Sequence, residues 1–280
     1  MAPRNSADGK FTAARGKPDA DDNHFAPPSA LLLALEFRAL WEFGAVLPAW
    51  PALQRAPAGD GHAVIVFPGL SASDGSTVPL RHYLGSLGYA VHGWKQGFNF
   101  GPRAGVLDAA KRQLQATADA TGNTVSLIGW SLGGIYAREL AKELPDLVRS
   151  VITLGTPFAC SPRSTNAWRL YELTSGRNIA RESEAYDLPG APPVPTTSVY
   201  SRTDGIVPWQ GSVQAPAAHN PQTENIEVVA SHVGLGLNPS AWWAVAHRLS
   251  QPEGQWRPFR EQIPQTRVLH GLIYPDPARD

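Results

Sequence analysis

Short apolar runs alternate with longer amphipathic stretches between about residue 60 and residue 250 of the chain. Apolar, β-branched runs predict strands that are buried on both faces, whereas amphipathic stretches predict helices. The predicted strands are Ala63–Phe67, Tyr89–Trp94, Thr124–Ile128, Ser150–Leu154, Thr197–Tyr200 and Ile226–Val229. The predicted helices are Val78–Leu87, 103–117, Leu132–Leu144 and Ser240–Leu249. This alternation predicts an α/β fold with a mostly parallel central sheet and helices on both faces.

The predicted sheet also indicates where functional residues should lie. Parallel sheets of this kind bind their ligands in the loops beyond the carboxyl ends of the strands. We therefore expect the functional side chains just after Phe67, Ile128, Leu154, Tyr200 and Val229.

The composition divides the chain into three predicted parts. Residues 1–28 are polar and lack apolar periodicity, which predicts a flexible tail. Residues 29–60 predict an N-terminal helix and a linker, and residues 61–280 the α/β domain. Within that domain, residues 157–196 form a long insertion that we expect to be a small helical cap over the site. The alternative is a peripheral pair of helices that does not contact substrate.

The N-terminal helix is predicted over Ser29–Val46, with Ser29 as its N-cap and Pro48 ending it. Its leucines and aromatic residues favour packing on the domain. Peripheral membrane contact or a homodimer through the 30–47 helix is the alternative. The run is too short and too charged to span a membrane. Because about thirty polar or mixed residues precede it, it does not read as a secretory signal, and we expect a cytoplasmic protein.

Charge and cysteine content exclude several classes of protein. The 24 basic and 24 acidic residues give a formal net charge of zero, so nothing attracts the chain to nucleic acid at long range. The single cysteine, Cys160, cannot form an internal disulfide or a cysteine zinc cluster. A globular domain that acts on a small, uncharged molecule without a cofactor or a metal is the expectation that remains.

One glycine-rich motif suggests nucleophilic chemistry. Gly129-Trp130-Ser131-Leu132-Gly133 follows a predicted strand and opens a predicted helix, which is the context of the G-x-S-x-G nucleophile turn. Such a turn raises the hydroxyl of Ser131 above the sheet and points the N–H of Leu132 toward the site. A tight turn with a purely structural role is the alternative.

A base and an acid are expected on later strands. A serine hydroxyl needs a base, and His232 follows the last predicted strand closely. Asp204 follows the preceding strand and would orient the imidazole. An ordinary loop histidine and an Asp-Gly turn are the alternatives, and Asp187, inside the insertion, is a weaker substitute for Asp204. The order Ser131, Asp204, His232 is the one expected for this arrangement.

The remaining predicted contacts surround these three residues. The loop after the first strand offers the N–H of Leu70 as a second oxyanion donor. The nearby Ser71, Ser73 and Asp74 are polar candidates for contacting substrate. Trp130 and the aromatic residues of the insertion suggest an apolar pocket, for which the predicted contacts are Trp130, Ser71, Trp168 and Tyr171.

At these residues the chain resembles the α/β-hydrolase superfamily, on its serine esterase and lipase side. The segments Gly129–Gly134, Leu154–Phe158, Ser201–Pro208 and Ser231–Pro239 resemble those of bacterial triacylglycerol-lipase-like hydrolases. The resemblance covers roughly residues 60–250. It differs at Pro68, where many relatives have histidine before the glycine.

The resemblance implies Ser131, Asp204 and His232 as a catalytic triad, with Leu70 and Leu132 as oxyanion donors. It implies hydrolysis of carboxylic esters, including lipids, through an acyl-enzyme on Ser131. A serine acyltransferase with the same triad and a non-catalytic binding protein are the alternatives. We expect a small-molecule ester or lipid substrate, no nucleic acid and no cofactor.

Overall fold

The computed structural model describes residues 25–175, 187–262 and 273–275. Most of the predicted tail, residues 1–24, lies outside the described residues. So do residues 176–186 of the predicted cap insertion.

A six-stranded sheet forms the centre of the fold, in the order β2-β1-β3-β4-β5-β6. Every neighbouring pair in it is parallel. The strands are β1 Ala63–Phe67, β2 Ala90–Gly93, β3 Val125–Trp130, β4 Val148–Leu154, β5 Thr196–Tyr200 and β6 Thr223–Glu227. The predicted α/β fold with a parallel sheet is confirmed.

The last strand is displaced from its predicted position. The apolar run predicted Ile226–Val229, but β6 begins at Thr223 and ends at Glu227. Because β6 is the edge strand of the sheet, its first three residues are only partly buried and are polar. An apolar run therefore marks only the end of this strand.

Helices cover both faces of the sheet. They are α1 Ala30–Ala34, α2 Ala39–Gly44, α3 Val46–Leu53, α4 Asp74–Ser86, α5 Val106–Thr121, α6 Leu132–Glu143, α7 Trp168–Ser175, α8 Pro239–Leu249 and α9 Phe259–Gln262. Side chains of α3, α4 and α8 share one buried cluster with one face of the sheet. Side chains of α5 and α6 share a second cluster with the other face. The predicted two-sided packing is therefore observed.

The N-terminal region departs from the single helix that the sequence predicts. Ser29 does cap α1, since its hydroxyl accepts a hydrogen bond from the Leu32 N–H. A 3₁₀ helix, Leu35–Arg38, follows, and then α2 and α3. Pro48 does not end the helix, because it lies in the first turn of α3, where a backbone N–H has no partner within the helix in any case.

The apolar side chains of this N-terminal region are largely exposed. Phe37 and Trp41 are each 81% exposed and Leu47 is 79% exposed. Residues 30–44 therefore do not pack on the domain through their large apolar side chains, as the sequence favoured, whereas Val46 and Leu53 of α3 are buried against the core. Within the described ranges, no helix is both long enough and apolar enough to cross a bilayer.

The burial of α5 gives a test of the packing. Leu114 lies on the buried face of α5 and is fully buried. We therefore expect Leu114→Ala to lower the free energy of unfolding by about 2–5 kcal/mol. The matched control is Leu47→Ala, at an exposed helical position, which should change it by less than about 0.5 kcal/mol. Denaturant unfolding measures both. Equal losses for the two variants would contradict this packing.

Candidate active site

Ser131 occupies a strained turn between β3 and α6. Its backbone angles are φ 52° and ψ −123°, a conformation that costs a non-glycine residue about 1–3 kcal/mol. Its N–H donates to the carbonyl of Leu154 at 2.8 Å, and its carbonyl accepts from the Thr156 hydroxyl at 2.9 Å. These two bonds to the end of β4 and the residues after it hold the turn in place.

Close packing explains the glycines of this turn. A Cβ atom on Gly133 would lie 2.4 Å from the carbonyl oxygen of Phe67. A Cβ atom on Gly129 would lie 2.2 Å from the Cα of Gly134. Neither position has room for a side chain, so α6 can begin close against β1 only with glycine there.

The structure brings Ser131, His232 and Asp204 together. The Ser131 Oγ lies 2.9 Å from the His232 Nε2, and the His232 Nδ1 lies 2.7 Å from the Asp204 Oδ2. If Nδ1 carries a proton and donates it to the carboxylate, Nε2 is free to accept from the serine hydroxyl. The three side chains thus form one hydrogen-bonded chain at the carboxyl end of the sheet.

Asp204 is fixed and buried. Its Oδ1 accepts backbone N–H groups from Ile206 at 2.8 Å and Val207 at 2.7 Å, while its Oδ2 faces the imidazole. The residue is only 4% exposed. These two backbone donors fix the carboxylate so that its second oxygen points at His232.

The electrostatics of His232 favour its charged form. Burial lowers its pKa and is the largest single effect. The charge of Asp204, the hydrogen bond to Asp204 and the charge of Glu36 all act in the opposite direction. Together they raise the pKa of His232 above its ordinary value. The site can therefore stabilise an imidazolium that forms during a reaction.

The backbone of Gly155 packs against the pair formed by Asp204 and His232, a contact that the sequence did not predict. Gly155 follows β4 with φ +58°, and a Cβ atom there would lie 3.1 Å from the His232 Nδ1 and 3.3 Å from the Asp204 Oδ2. The backbone of Gly155 thus forms the wall behind the aspartate–histidine pair. A glycine directly after a buried strand was the signal available in the sequence.

The two predicted oxyanion donors flank Ser131. Leu132 is the first residue of α6, where a backbone N–H has no partner within the helix. On the other side, the loop of Leu70 approaches the serine, because a Cβ atom on Gly69 would lie 3.4 Å from the Ser131 Cβ. Asn99 holds this loop by donating to the carbonyl of Pro68 at 2.8 Å. The donor roles themselves stay predictions.

An apolar cavity of about 120 Å³ opens beside Ser131. One face of α6 forms a wall with Leu132, Ile135, Tyr136 and Glu139, which have the spacing of adjacent helical turns. The other lining residues include Leu70, Leu107, Trp168, Tyr171, Leu188 and Val207. The structure therefore places the predicted pocket residues Trp168 and Tyr171, both from the insertion, at the cavity.

Trp130 lies elsewhere than predicted. Its indole Nε1 donates to the carbonyl of His232 at 3.2 Å, and its ring packs against Gly236. It is not among the residues that line the cavity. Because side chains alternate between the two faces of β3, the residue before the serine supports the His232 loop and does not contact the pocket.

None of four further candidates lines the cavity. The hydroxyl of Ser71 is buried without a hydrogen-bond partner in the described part of the chain, and Ser71 does not line the cavity. Ser73 caps α4, and Asp74 accepts the N–H groups at the end of β2. The side chain of Asp187 accepts from the Gly190 N–H. Asp204, and not Asp187, is therefore the carboxylate that faces the imidazole.

No metal site accompanies this arrangement in the part of the chain that is described. No group of three or more histidine, cysteine or acidic side chains there is placed to hold a metal ion. The arrangement of Ser131, His232 and Asp204 can itself support proton transfer and nucleophilic attack.

Comparison with protein-family models gives no match, and comparison with curated proteins gives none. Solved structures do resemble the chain. It is similar to lipase B of Aspergillus fumigatus, with 19% identity and a TM-score of 0.54, over 71% of this chain and 54% of the lipase. It is also similar to a structure reported for LipS and LipT, two metagenome-derived lipolytic enzymes. There the identity is 14% and the TM-score 0.50, over 64% of this chain and 89% of the other.

These likenesses concern the fold. The chain spans about half the length of the Aspergillus lipase. With its all-parallel sheet and flanking helices, the chain has the α/β-hydrolase fold.

The raised pKa of His232 gives a test of the site's electrostatics. Asp204→Asn removes both the negative charge and the charged hydrogen-bond acceptor, so we expect the pKa of His232 to fall toward and below its ordinary value. An NMR titration of the imidazole measures this. The matched control is Asp187→Asn, which should leave the titration unchanged. An unchanged pKa in Asp204→Asn would contradict the pairing.

Proposed function

We propose that this chain, which has the α/β-hydrolase fold, is a serine hydrolase that cleaves carboxylic esters through an acyl-enzyme on Ser131. The observation that carries the proposal is the hydrogen-bonded chain from Ser131 through His232 to Asp204, at 2.9 and 2.7 Å. Ser131 lines an apolar cavity, through which a substrate carbonyl has access to the serine hydroxyl.

The first half of the proposed reaction forms the acyl-enzyme. The Ser131 Oγ attacks the ester carbonyl carbon while the His232 Nε2 takes the hydroxyl proton. The negative charge that develops on the carbonyl oxygen is stabilised by the N–H groups of Leu70 and Leu132. The tetrahedral intermediate then collapses. The alcohol leaves with the proton that His232 held, and the acyl group stays on Ser131.

The second half repeats the same steps with water. His232 takes a proton from a water molecule as the water oxygen attacks the acyl carbon. The bond from the acyl carbon to the Ser131 Oγ breaks, the serine regains its proton, and a carboxylic acid is released. Asp204 stabilises the imidazolium in both halves because its carboxylate lies 2.7 Å from the Nδ1.

The cavity supports an ester with an apolar acyl or alcohol part. Its walls are mostly leucine, proline, isoleucine and aromatic side chains from the Leu70 loop, α6 and the cap. Burial of apolar substrate surface against such walls is favourable by about 25 cal/mol per Å². A lipase and a lipolytic enzyme among the similar folds fit the same class of substrate.

Two other functions use the same residues. A serine acyltransferase would pass the acyl group to an alcohol in place of water, and the product then distinguishes the two. A non-catalytic binding protein has no need of a strained backbone at Ser131, whose φ of 52° costs free energy without serving a binding surface.

We propose further that the exposed apolar residues of the N-terminal region contact lipid. Large apolar side chains there are exposed to solvent, among them Phe37, Leu40 and Trp41, which are 81%, 75% and 81% exposed. Exposed apolar clusters of this kind mark surfaces for protein or membrane contact, and aromatic residues favour the membrane interface.

Hydrolysis of p-nitrophenyl esters of increasing acyl length tests the proposed function. We expect wild-type activity, and a loss of about three or more orders of magnitude in kcat for Ser131→Ala and His232→Ala. The matched controls are Ser250→Ala and His82→Ala, both away from the site, which should retain full activity. Product analysis with added alcohol identifies an acyltransferase. Full activity in Ser131→Ala would contradict the proposal.

Liposome flotation tests the lipid contact. The triple variant Phe37→Ser, Leu40→Ser, Trp41→Ser removes exposed side chains only, so we expect it to fold normally and to lose liposome binding. Val78→Ser, which alters an exposed apolar side chain on α4, is the control and should keep it. Unchanged flotation of the triple variant would refute the lipid contact. A change in its oligomeric state alone would indicate a homodimer.

A further inference from the structure

Glu36 links the two loops that carry the acid and the base. Its Oε1 accepts the Gly205 N–H at 2.8 Å and the His232 N–H at 2.9 Å. Its Oε2 accepts the Val233 N–H at 2.9 Å. One carboxylate, on the 3₁₀ helix before α2, thus binds the residue after Asp204 and the backbone of His232 itself.

Two neighbouring side chains extend this contact. Arg38 donates to the carbonyl and the hydroxyl of Thr203, at 2.6 and 2.8 Å, just before Asp204. Glu42 accepts the Ser231 N–H at 2.8 Å, just before His232, and it also accepts the Arg38 Nε at 3.0 Å. We call Glu36, Arg38 and Glu42 the N-terminal clamp.

The N-terminal clamp binds the residues that neighbour Asp204 and His232 along the chain. It binds the backbone on both sides of Asp204, at Thr203 and Gly205. It also binds the backbone before, at and after His232. The Leu32 carbonyl lies so close to Gly205 that a Cβ atom there would come within 2.3 Å of it.

We propose that Glu36 is a positioning residue of the proposed hydrolase, which holds the loops of Asp204 and His232 in register through its carboxylate, with Arg38 and Glu42 as its support. The inference rests on the proposed function. The N-terminal region, which lies outside the α/β core, would thus position the catalytic loops.

The chemistry requires a carboxylate at this position. Hydrogen bonds from backbone N–H groups to an ionised carboxylate are shorter and stronger than those to a neutral acceptor. An amide at position 36 has one acceptor oxygen where the carboxylate has two, so it would present an N–H₂ group to one of the loops. The loops would then separate slightly, and a misplacement of about 1 Å costs roughly a hundredfold in rate.

Glu36 also acts on His232 through its charge. Among the described residues, the Asp204 carboxylate and the Ser131 hydroxyl are the hydrogen-bond partners of the imidazole, and Glu36 accepts the backbone N–H of His232. The negative charge of Glu36 contributes to the raised pKa of His232, after the effects of burial and of Asp204. A purely structural tie made of neutral groups would not have this effect.

Glu36→Gln tests the proposal by two independent measurements. We expect kcat to fall about ten- to a hundredfold while KM stays within about threefold, because no clamp residue lines the cavity. We also expect an NMR titration to show a lower pKa for His232, and the acid limb of the pH profile to move to lower pH. The matched control is Glu143→Gln, a surface carboxylate paired with Lys111, which should change neither.

A second variant covers the case in which Glu36→Gln does not fold. Glu36→Asp keeps the charge but is shorter, so we expect a smaller shift in the pKa of His232 and a kcat between those of wild type and Glu36→Gln. The titration needs no turnover, so it decides the proposal even if the wild type hydrolyses no ester. If the wild type is active, an unchanged pKa of His232 together with an unchanged kcat in a folded variant at position 36 would overturn the proposal. If it is inactive, an unchanged pKa alone would overturn it.

Discussion

The site depends on one buried pair, the Asp204 carboxylate and the His232 imidazole, whose facing atoms lie 2.7 Å apart. Burial alone would keep the imidazole neutral and make the ionised carboxylate costly. Backbone N–H donors from Ile206 and Val207 stabilise the ionised Asp204 carboxylate, and the charges of Asp204 and Glu36 favour the charged form of the imidazole. The position of Ser131 is useful only because the pair is held in this state.

A second set of the same three residue types shows why distances alone do not define such a site. The His62 Nδ1 lies 2.5 Å from Asp60, and its Nε2 lies 2.9 Å from the Ser126 hydroxyl. Ser126, however, is fully buried within β3. Burial lowers the pKa of His62, and the nearby Arg149 acts in the same direction. This set lies at the end of the sheet where parallel strands begin, away from the loops that bind ligands. It is a structural network with the opposite electrostatics.

The sequence contained most of the fold but only part of the site. Buried strands and the turn around Ser131 carry local patterns, so they could be predicted, whereas an edge strand such as β6 begins with polar residues and could not. The role of Glu36 had no local signal, because its partner His232 lies 196 residues away. The leucines around it suggested a helix that packs through its apolar side. This segment contacts the domain through the charged side chains of Glu36, Arg38 and Glu42, and its large apolar side chains remain exposed. Gly155 could be recognised in the sequence as a glycine after a buried strand, but its contact with Asp204 and His232 is visible only in the folded structure.

Covalent labelling with a fluorophosphonate, read by intact mass and peptide mapping, tests whether Ser131 is an activated nucleophile. Such a reagent reacts with a serine only where a base activates it and donors stabilise the charge that develops. We expect a single adduct on the folded protein, located at Ser131 and absent from Ser126. A folded protein that takes up no label, or that carries it on another serine, would contradict the activation of Ser131 by His232 and Asp204.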